Sequence, residues 1–307
     1  MENKLSMNWT GVMPAITTVF NRNLTIDHGF VREHCRWLVG NGCTGIVTPG
    51  SLGEGATLTV KEKIQLWKTC VNAVGDQVPI VAAISSLTTT EAVELAKTAA
   101  GHGCAGLMVL PPYVYRGDWR EMKAHVSAVI RATKRSVMLY NNPVAYATDF
   151  LPAQIRELAD EHENLHAVKE SSEDVRRITA IRERCGERLA IFVGVDDTIV
   201  EGLMAGAVGW IAGLANAFPA ESVALYQYAR NGDRSKAFKL YKWFLPMLRM
   251  DTVPKFVQLI KLAQEEVGMG NARVRPPRLE LTGRELQEAR DVIRRALKQR
   301  QKIQKQM

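Results

Sequence analysis

The stretch Leu165-His-Ala-Val-Lys-Glu-Ser-Ser172 is a short apolar run that ends in a single lysine. Its apolar residues are typical of a buried strand, so Lys169 is expected to leave the C-terminal end of that strand toward the protein interior. Burial disfavours the ammonium form and lowers the pKa of a lysine, which turns the side chain into a usable amine nucleophile. The stretch predicts a Schiff-base lysine; the alternative is a strand-end lysine that reaches water or pairs with Glu170.

Seven further apolar runs share this form, and an amphipathic stretch follows each of them. All eight runs are residues 13–20, 45–48, 79–84, 106–110, 136–140, 166–169, 189–193 and 209–212. Continuous apolar strands are expected where helices cover a parallel sheet. Eight strand-helix repeats predict the α/β class and a (β/α)8 TIM barrel. No G-x-G-x-x-G follows the first run, which argues against a dinucleotide-binding sheet.

The pattern becomes helical, without further strands, from Pro219 onward. We therefore expect a barrel over residues 1–218 and a helical C-terminal extension, packed on the barrel, over residues 219–307. Among the barrel helices, Asp27 is a candidate N-cap, and Thr59 with Glu62 has the spacing of a capping box.

Composition indicates a globular protein, with 46% hydrophobic and 23% charged residues in a chain of 307. No run of about eighteen apolar residues occurs, so we expect a cytoplasmic protein without a membrane partner. The five cysteines are scattered and form no C-x-x-C pair, which favours reduced thiols over a disulfide framework or a zinc site.

The formal charge of +8 is concentrated at the C-terminal end. Residues 290–307 carry seven basic side chains and one acidic one. No aromatic residue lies among them to stack on bases, so a solvated terminal helix is favoured over a nucleic-acid-binding arm.

The predicted strand ends carry polar residues, and in a (β/α)8 barrel the chemistry lies there. After the second strand, Thr48-Pro-Gly-Ser-Leu-Gly-Glu54 is a glycine-rich turn in which Ser51 and nearby amides could face a substrate carboxylate; alternatively, the loop has no such role. After the fourth strand, Tyr113 lies on a proline-stiffened turn. Tyr140 ends the fifth strand, one repeat before Lys169, so these two side chains should be neighbours and could exchange protons.

Five motifs in barrel order resemble those of the dihydrodipicolinate synthase and N-acetylneuraminate lyase superfamily of Schiff-base enzymes. They are Gly50-Ser-Leu-Gly-Glu54, Tyr140-Asn-Asn-Pro143, Val168-Lys-Glu170, Gly194-Val-Asp-Asp197 and Gly209-Trp-Ile-Ala-Gly213. The resemblance extends from about Trp9 to Leu297. It implies a small 2-oxo acid as substrate, no cofactor and no metal, and a homotetramer built as a dimer of dimers.

The resemblance also implies a role for individual residues. Lys169 would form the imine with C2 of the 2-oxo acid, and Tyr140 would relay protons to and from it. Ser51 would position the Tyr140 hydroxyl, and Tyr113 would complete the relay across a subunit interface. The implied substrate-binding positions are Gly50, Ser51, Leu52, Gly194 and Ile211.

Two departures from the family pattern concern the substrate. Ala145 stands where the synthase has an arginine that binds the aldehyde's carboxylate, and Leu52 replaces the second hydroxyl of the glycine-rich loop. The residues of these motifs are most similar to those of 1-pyrroline-4-hydroxy-2-carboxylate deaminases. This resemblance implies that the substrate ring opens and loses water and ammonia to give 2,5-dioxopentanoate.

Several alternatives stay open. Aldehyde addition, as in 4-hydroxy-tetrahydrodipicolinate synthase, and retro-aldol cleavage, as in N-acetylneuraminate lyase, begin with the same imine. A catalytically silent binding barrel is opposed by the intact pair of Lys169 and Tyr140. A metal-dependent aldolase is opposed by the six histidines, which show no facial-triad pattern at strand ends.

Overall fold

A computed structural model describes residues 7–112 and 114–305, and its centre is a ring of eight parallel strands. They are β1 (Gly11–Pro14), β2 (Ile46–Thr48), β3 (Ile80–Ile84), β4 (Gly106–Val109), β5 (Ser136–Asn141), β6 (Leu165–Glu170), β7 (Ala190–Val193) and β8 (Gly209–Ala212). Pairing follows the order β1-β8-β7-β6-β5-β4-β3-β2. Beyond β1, Ile16 N donates to Val47 O at 3.0 Å, which brings the first two strands together. The predicted (β/α)8 barrel is confirmed.

Helices alternate with the strands and then continue to the end of the chain. They are α1 (His28–Gly40), α2 (Val60–Val74), α3 (Thr89–Gly101), α4 (Trp119–Arg131), α5 (Pro143–Tyr146), α6 (Pro152–Glu161), α7 (Arg176–Cys185), α8 (Ile199–Met204), α9 (Pro219–Arg230), α10 (Arg234–Leu248), α11 (Phe256–Glu266) and α12 (Gly283–Gln304). Asp27 caps α1 by accepting from Phe30 N at 2.9 Å, and Thr59 with Glu62 forms the predicted capping box of α2. Both helix starts are therefore fixed by local sequence.

The strands are almost wholly buried because helices cover the outer face of the ring. Every residue of β2, β3, β4 and β8 is buried. Each fully buried valine, leucine or isoleucine side chain contributes about 1.5–3 kcal/mol, so this double-sided burial is a main source of stability.

The first apolar run was assigned wrongly in part, because β1 ends at Pro14 and the run continues to residue 20 as a buried loop. Thr17 Oγ1 donates to Gln264 Oε1 and Thr18 Oγ1 to Gly53 O, both at 2.6 Å. Val19 and Phe20 are buried beside them. Their apolar character reflects burial in this loop rather than pairing in the sheet.

The C-terminal helices form a layer on the barrel. α9 follows β8 and packs against β1 and β8, so it takes the place of the eighth barrel helix, while α12 packs against both α10 and α11. The division at residues 218 and 219 stays a prediction, although this packing favours a boundary after α9.

The basic end of the chain is more than a solvated helix. In α12, Arg294 Nε binds Glu266 at 2.8 Å, and Arg300 Nε binds Glu221 at 2.6 Å. The Glu221 side chain is fully buried. Part of the positive charge therefore holds α12 against α9 and α11. None of the described helices combines the length and apolar character that crossing a membrane requires.

Candidate active site

A cavity of about 450 Å³ opens at the C-terminal ends of the strands. All the predicted site residues that the structure describes line it: Gly50, Ser51, Leu52, Tyr140, Lys169, Gly194 and Ile211. Tyr113 lies outside the described residues. The sequence therefore located the cavity, and the structure shows how these side chains are arranged within it.

Lys169 and Tyr140 are direct neighbours across the sheet. Their positions pair in the register of β5 and β6, and Lys169 Nζ lies 4.0 Å from the centroid of the Tyr140 ring. Burial lowers the pKa of Lys169, against the opposing influence of Asp251, Tyr146 and Asp196. Burial likewise raises the pKa of Tyr140 to about 12. The pair therefore places an amine that loses its proton more readily beside a phenol that keeps its own.

The hydrogen bond of Ser51 differs from the one predicted. Ser51 Oγ forms a hydrogen bond with the hydroxyl of Tyr146, and the Tyr140 hydroxyl accepts from Asn142 Nδ2 at 3.0 Å. The Tyr146 ring packs edge-on against Tyr140, with centroids 5.7 Å apart. A second tyrosine thus stands between Ser51 and Tyr140.

Tyr146 was missed as a site residue because it lies beyond the strand end. Asn142 caps α5 by accepting from Ala145 N at 2.9 Å, and Pro143 is the first residue of that helix. One helical turn then returns Tyr146 to the cavity. The sequence signal was present in Asn142-Pro143, which is a helix start, but the direction of so short a helix cannot be read from spacing.

The absence of a side chain at Gly194 leaves room for the Lys169 side chain. A Cβ at this position would lie 2.0 Å from Ser171 Oγ and 2.6 Å from Lys169 Cε. Any larger residue would therefore displace the lysine or its neighbour.

A second close approach occurs at Gly213, just after β8. A Cβ there would lie 2.2 Å from Oδ1 of Asp251. The backbone of the same turn also binds a second carboxylate: Asp196 accepts from Gly213 N at 3.0 Å, from Leu214 N at 2.7 Å and from Trp210 Nε1 at 2.9 Å. Burial raises the pKa of Asp196 to about 6, against these three donors.

Two charged cavity residues come from the C-terminal extension and were not predicted. Asp251 follows α10, and Arg278 follows α11. Both side chains are partly buried, and neither has a side-chain hydrogen bond or ion pair to any residue within 7–112 or 114–305. Guanidinium groups that are partly buried normally pair with an anion or an acceptor. Because Arg278 has no such partner among the described residues, its guanidinium is available to bind an anionic ligand.

A buried ion pair fixes the end of the glycine-rich loop. Lys261 Nζ lies 2.8 Å from Glu54 Oε1, both side chains are fully buried, and Arg275 N donates to Glu54 Oε2 at 3.0 Å. Glu54 itself has a φ of 54°. This loop, which carries Gly50 and Ser51, is therefore fixed by the C-terminal extension.

The metal hypothesis has no ligand set within the described residues, where no group of three or more His, Cys, Asp or Glu side chains is placed to hold an ion. The cavity lining instead includes an amine, two phenols, two serine hydroxyls and two carboxyl groups. Such groups can form and protonate a covalent imine.

Comparison with known proteins agrees with this geometry. The profile of the Dihydrodipicolinate synthetase family matches residues 8–296. A 4-hydroxy-tetrahydrodipicolinate synthase from Haloarcula marismortui is 31% identical over 289 residues, which cover 94% of this chain and 94% of that protein.

Solved structures are similar over almost the whole chain. The 4-hydroxy-tetrahydrodipicolinate synthase from Methylacidiphilum fumariolicum SolV has a TM-score of 0.92 at 26% identity, covering 96% of this chain and 98% of that one. A dihydrodipicolinate synthase from Acinetobacter baumannii, complexed with pyruvate, has a TM-score of 0.87 at 26% identity, covering 95% and 98%. The chain belongs to the dihydrodipicolinate synthetase family and is a lyase of the Schiff-base-forming type.

Proposed function

We propose that Lys169 forms an imine with C2 of a small 2-oxo acid or of its cyclic imine. The observation that carries this proposal is the position of Lys169 Nζ, 4.0 Å from the centroid of the Tyr140 ring inside the cavity at the strand ends. Burial lowers the pKa of the amine, so its nucleophilic form is more abundant than in an exposed lysine. The pyruvate bound to the Acinetobacter baumannii relative is a 2-oxo acid of the expected kind.

The neighbouring groups divide the remaining tasks. When the substrate is a 2-oxo acid, Tyr140 protonates the oxygen that leaves as water when the carbinolamine becomes the imine, since its raised pKa of about 12 keeps the phenol protonated. The hydrogen bond between Ser51 Oγ and the Tyr146 hydroxyl positions both side chains beside the Tyr140 ring. The loop that contains Gly50, Ser51 and Leu52 binds the carboxylate, with Arg278 as the cavity's arginine.

The family likeness supports two further parts of this proposal. We place the protein in the cytoplasm as a homotetramer, a dimer of dimers, in which Tyr113 of one subunit completes the proton relay of another. Gly194 and Ile211 border the lysine pocket.

For the substrate, we propose 1-pyrroline-4-hydroxy-2-carboxylate, on the resemblance of the motifs and the alanine at position 145. Lys169 attacks C2 and the ring C2–N bond breaks, which leaves an amine on C5. Loss of the C3 proton and of the C4 hydroxyl, as water, gives a conjugated imine that rearranges to an imine at C5. One water hydrolyses the C5 imine and releases ammonia, and a second frees 2,5-dioxopentanoate from the lysine, so the net reaction consumes one water.

The second candidate is aldehyde addition, which is favoured by the names of the relatives, 4-hydroxy-tetrahydrodipicolinate synthases. It requires an anchor for the carboxylate of aspartate semialdehyde. Ala145 lacks that charge, and Arg278 would have to supply it from another part of the chain.

Product analysis separates the two candidates. The purified protein is incubated with the hydroxylated pyrroline carboxylate, and separately with pyruvate and aspartate semialdehyde, with Lys169→Ala as the control. We expect ammonia and 2,5-dioxopentanoate from the pyrroline in the wild type only. Consumption of pyruvate with the semialdehyde, without ammonia from the pyrroline, would favour the synthase instead.

A further inference from the structure

Elimination of a hydroxyl from a lysine-bound substrate needs a second acid. Tyr140 lies beside the lysine nitrogen, where the ring nitrogen leaves C2 as the imine with Lys169 forms. The hydroxyl is on C4, two carbons away from the imine carbon C2, and hydroxide is a poor leaving group unless a proton reaches it.

Asp251 is placed on the cavity wall to meet this need. Its Oδ1 approaches Gly213 so closely that a Cβ there would lie at 2.2 Å. The carboxyl is partly exposed to the cavity and has no side-chain hydrogen bond or ion pair within the described part of the chain. It is therefore free to contact a bound molecule.

The neighbouring carboxyl group of Asp196, unlike that of Asp251, is not exposed to the cavity. It is completely buried and is held by three N–H donors from Trp210, Gly213 and Leu214. It does not line the cavity, but its charge acts on Asp251. Burial first, and then Asp196 and Asp197, raise the pKa of Asp251 well above its ordinary range, whereas Lys169 opposes this rise. Asp251 therefore keeps its proton more readily than an exposed aspartic acid.

We propose that Asp251 is the catalytic acid that protonates the leaving C4 hydroxyl of the lysine-bound substrate. In this step the enamine nitrogen of Lys169 regains its double bond to C2, the π electrons of the C2–C3 double bond form a C3–C4 double bond, and the C4–O bond breaks. The departing oxygen takes the Asp251 proton and leaves as water. The resulting carboxylate then accepts a proton from C5, which restores the acid. This assignment rests on the proposed imine chemistry of Lys169.

The test measures three steps separately in wild type, Asp251→Asn and the control Asp233→Asn. Asp233 does not line the cavity; it accepts from Lys236 N at the start of α10, where an asparagine caps equally well. The steps are borohydride trapping of pyruvate on Lys169, exchange of the pyruvate C3 protons with deuterated solvent, and ammonia release from the hydroxylated pyrroline carboxylate. We expect Asp251→Asn to retain trapping and exchange but to lose ammonia release by about 10²–10⁴-fold. Asp233→Asn should keep all three.

A substrate whose leaving group needs no proton gives a second test. With the 4-chloro analogue of the pyrroline, Asp251→Asn should release ammonia within a few-fold of the wild-type rate, because chloride departs unprotonated. Should Asp251→Asn be insoluble, Asp251→Ser replaces it in both assays.

Three results would overturn the assignment: an unchanged rate of ammonia release, a parallel loss of all three steps, or an equal loss with the hydroxyl and chloro substrates. A wild type that traps pyruvate but eliminates water from the pyrroline at no measurable rate would also overturn it, while leaving the imine proposal intact. Absence of trapping in the wild type would instead refute the proposed function itself.

Discussion

Gly194 shows how much of this site depends on one missing side chain. Gly194→Ala would place a methyl group 2.6 Å from Lys169 Cε and 2.0 Å from Ser171 Oγ. We expect a loss of activity of about 10²-fold or more, because small displacements of a reacting group are costly. The matched control is Gly40→Ala, where nothing lies within 4 Å of the added Cβ. Steady-state rates of both variants check this; equal rates would contradict it.

Burial of Lys169 should also lower the free energy of unfolding. Its folded-state pKa is below 10.5, so the unfolded chain binds the proton more tightly. Burying the charged amine lowers the free energy of unfolding. This loss is complete below the folded-state pKa, where the amine is protonated in both states, and vanishes as the pH rises to about 10.5. We therefore expect Lys169→Met to be more stable than wild type near neutral pH, by about 1.4 kcal/mol for each unit of pKa shift.

Urea unfolding of both proteins at several pH values measures this difference. The advantage of Lys169→Met should shrink as the pH approaches 10.5. An advantage that grows with pH would show that the amine is not destabilised by burial.

The residues that sequence reasoning found and missed differ in one physical respect. Lys169 and Tyr140 end buried strands, and parallel strands place consecutive ends side by side, so spacing alone predicts that they meet. Asp251 and Arg278 lie between helices of the extension. Where those segments dock is set by tertiary packing, which leaves no periodic signal in the sequence.

Among the elements, the loop of residues 50–54 depends on α11 through the pair of Lys261 and Glu54. Lys261→Met would leave a buried carboxylate without its cation, which costs about 3–5 kcal/mol. Adding Glu54→Gln should recover much of this loss, since no charge is then left unpaired. Denaturant unfolding measures the three free energies of unfolding.

An exposed ion pair is the matched control for this prediction. Lys97 and Glu94 lie 2.8 Å apart with more than half of each side chain exposed, and Lys97→Met should cost at most about 0.5 kcal/mol. Similar losses for Lys261→Met and Lys97→Met would contradict the role given to the buried pair.

The strands and helices followed from the sequence more closely than the loops did. Capping residues at Asp27 and Thr59 marked two helix starts because they satisfy backbone N–H groups locally. Residues 15–20 misled the prediction, because a buried loop and a buried strand are equally apolar. Only the distant partners of Thr17 and Thr18 distinguish the two.

At the scale of the whole molecule, the barrel and the extension form one site. Residues beyond 218 supply Asp251 and Arg278 to the cavity and Lys261 to the glycine-rich loop, and α9 covers β1 and β8. We expect a fragment of residues 1–218 to fail to fold, because it exposes apolar strand surface and leaves Glu54 unpaired. Circular dichroism and limited proteolysis check this. A folded fragment that still forms an imine with pyruvate would show that the extension is dispensable.

Lys169 is the amine that we propose binds the substrate covalently. The most direct test of this proposal is borohydride reduction in the presence of pyruvate, followed by intact-mass measurement and peptide mapping, with Lys169→Ala alongside. We predict one pyruvate-derived adduct per chain, mapped to the peptide that contains Lys169 and missing from the folded variant. An adduct on another lysine, or no adduct on the folded wild-type protein, would contradict it.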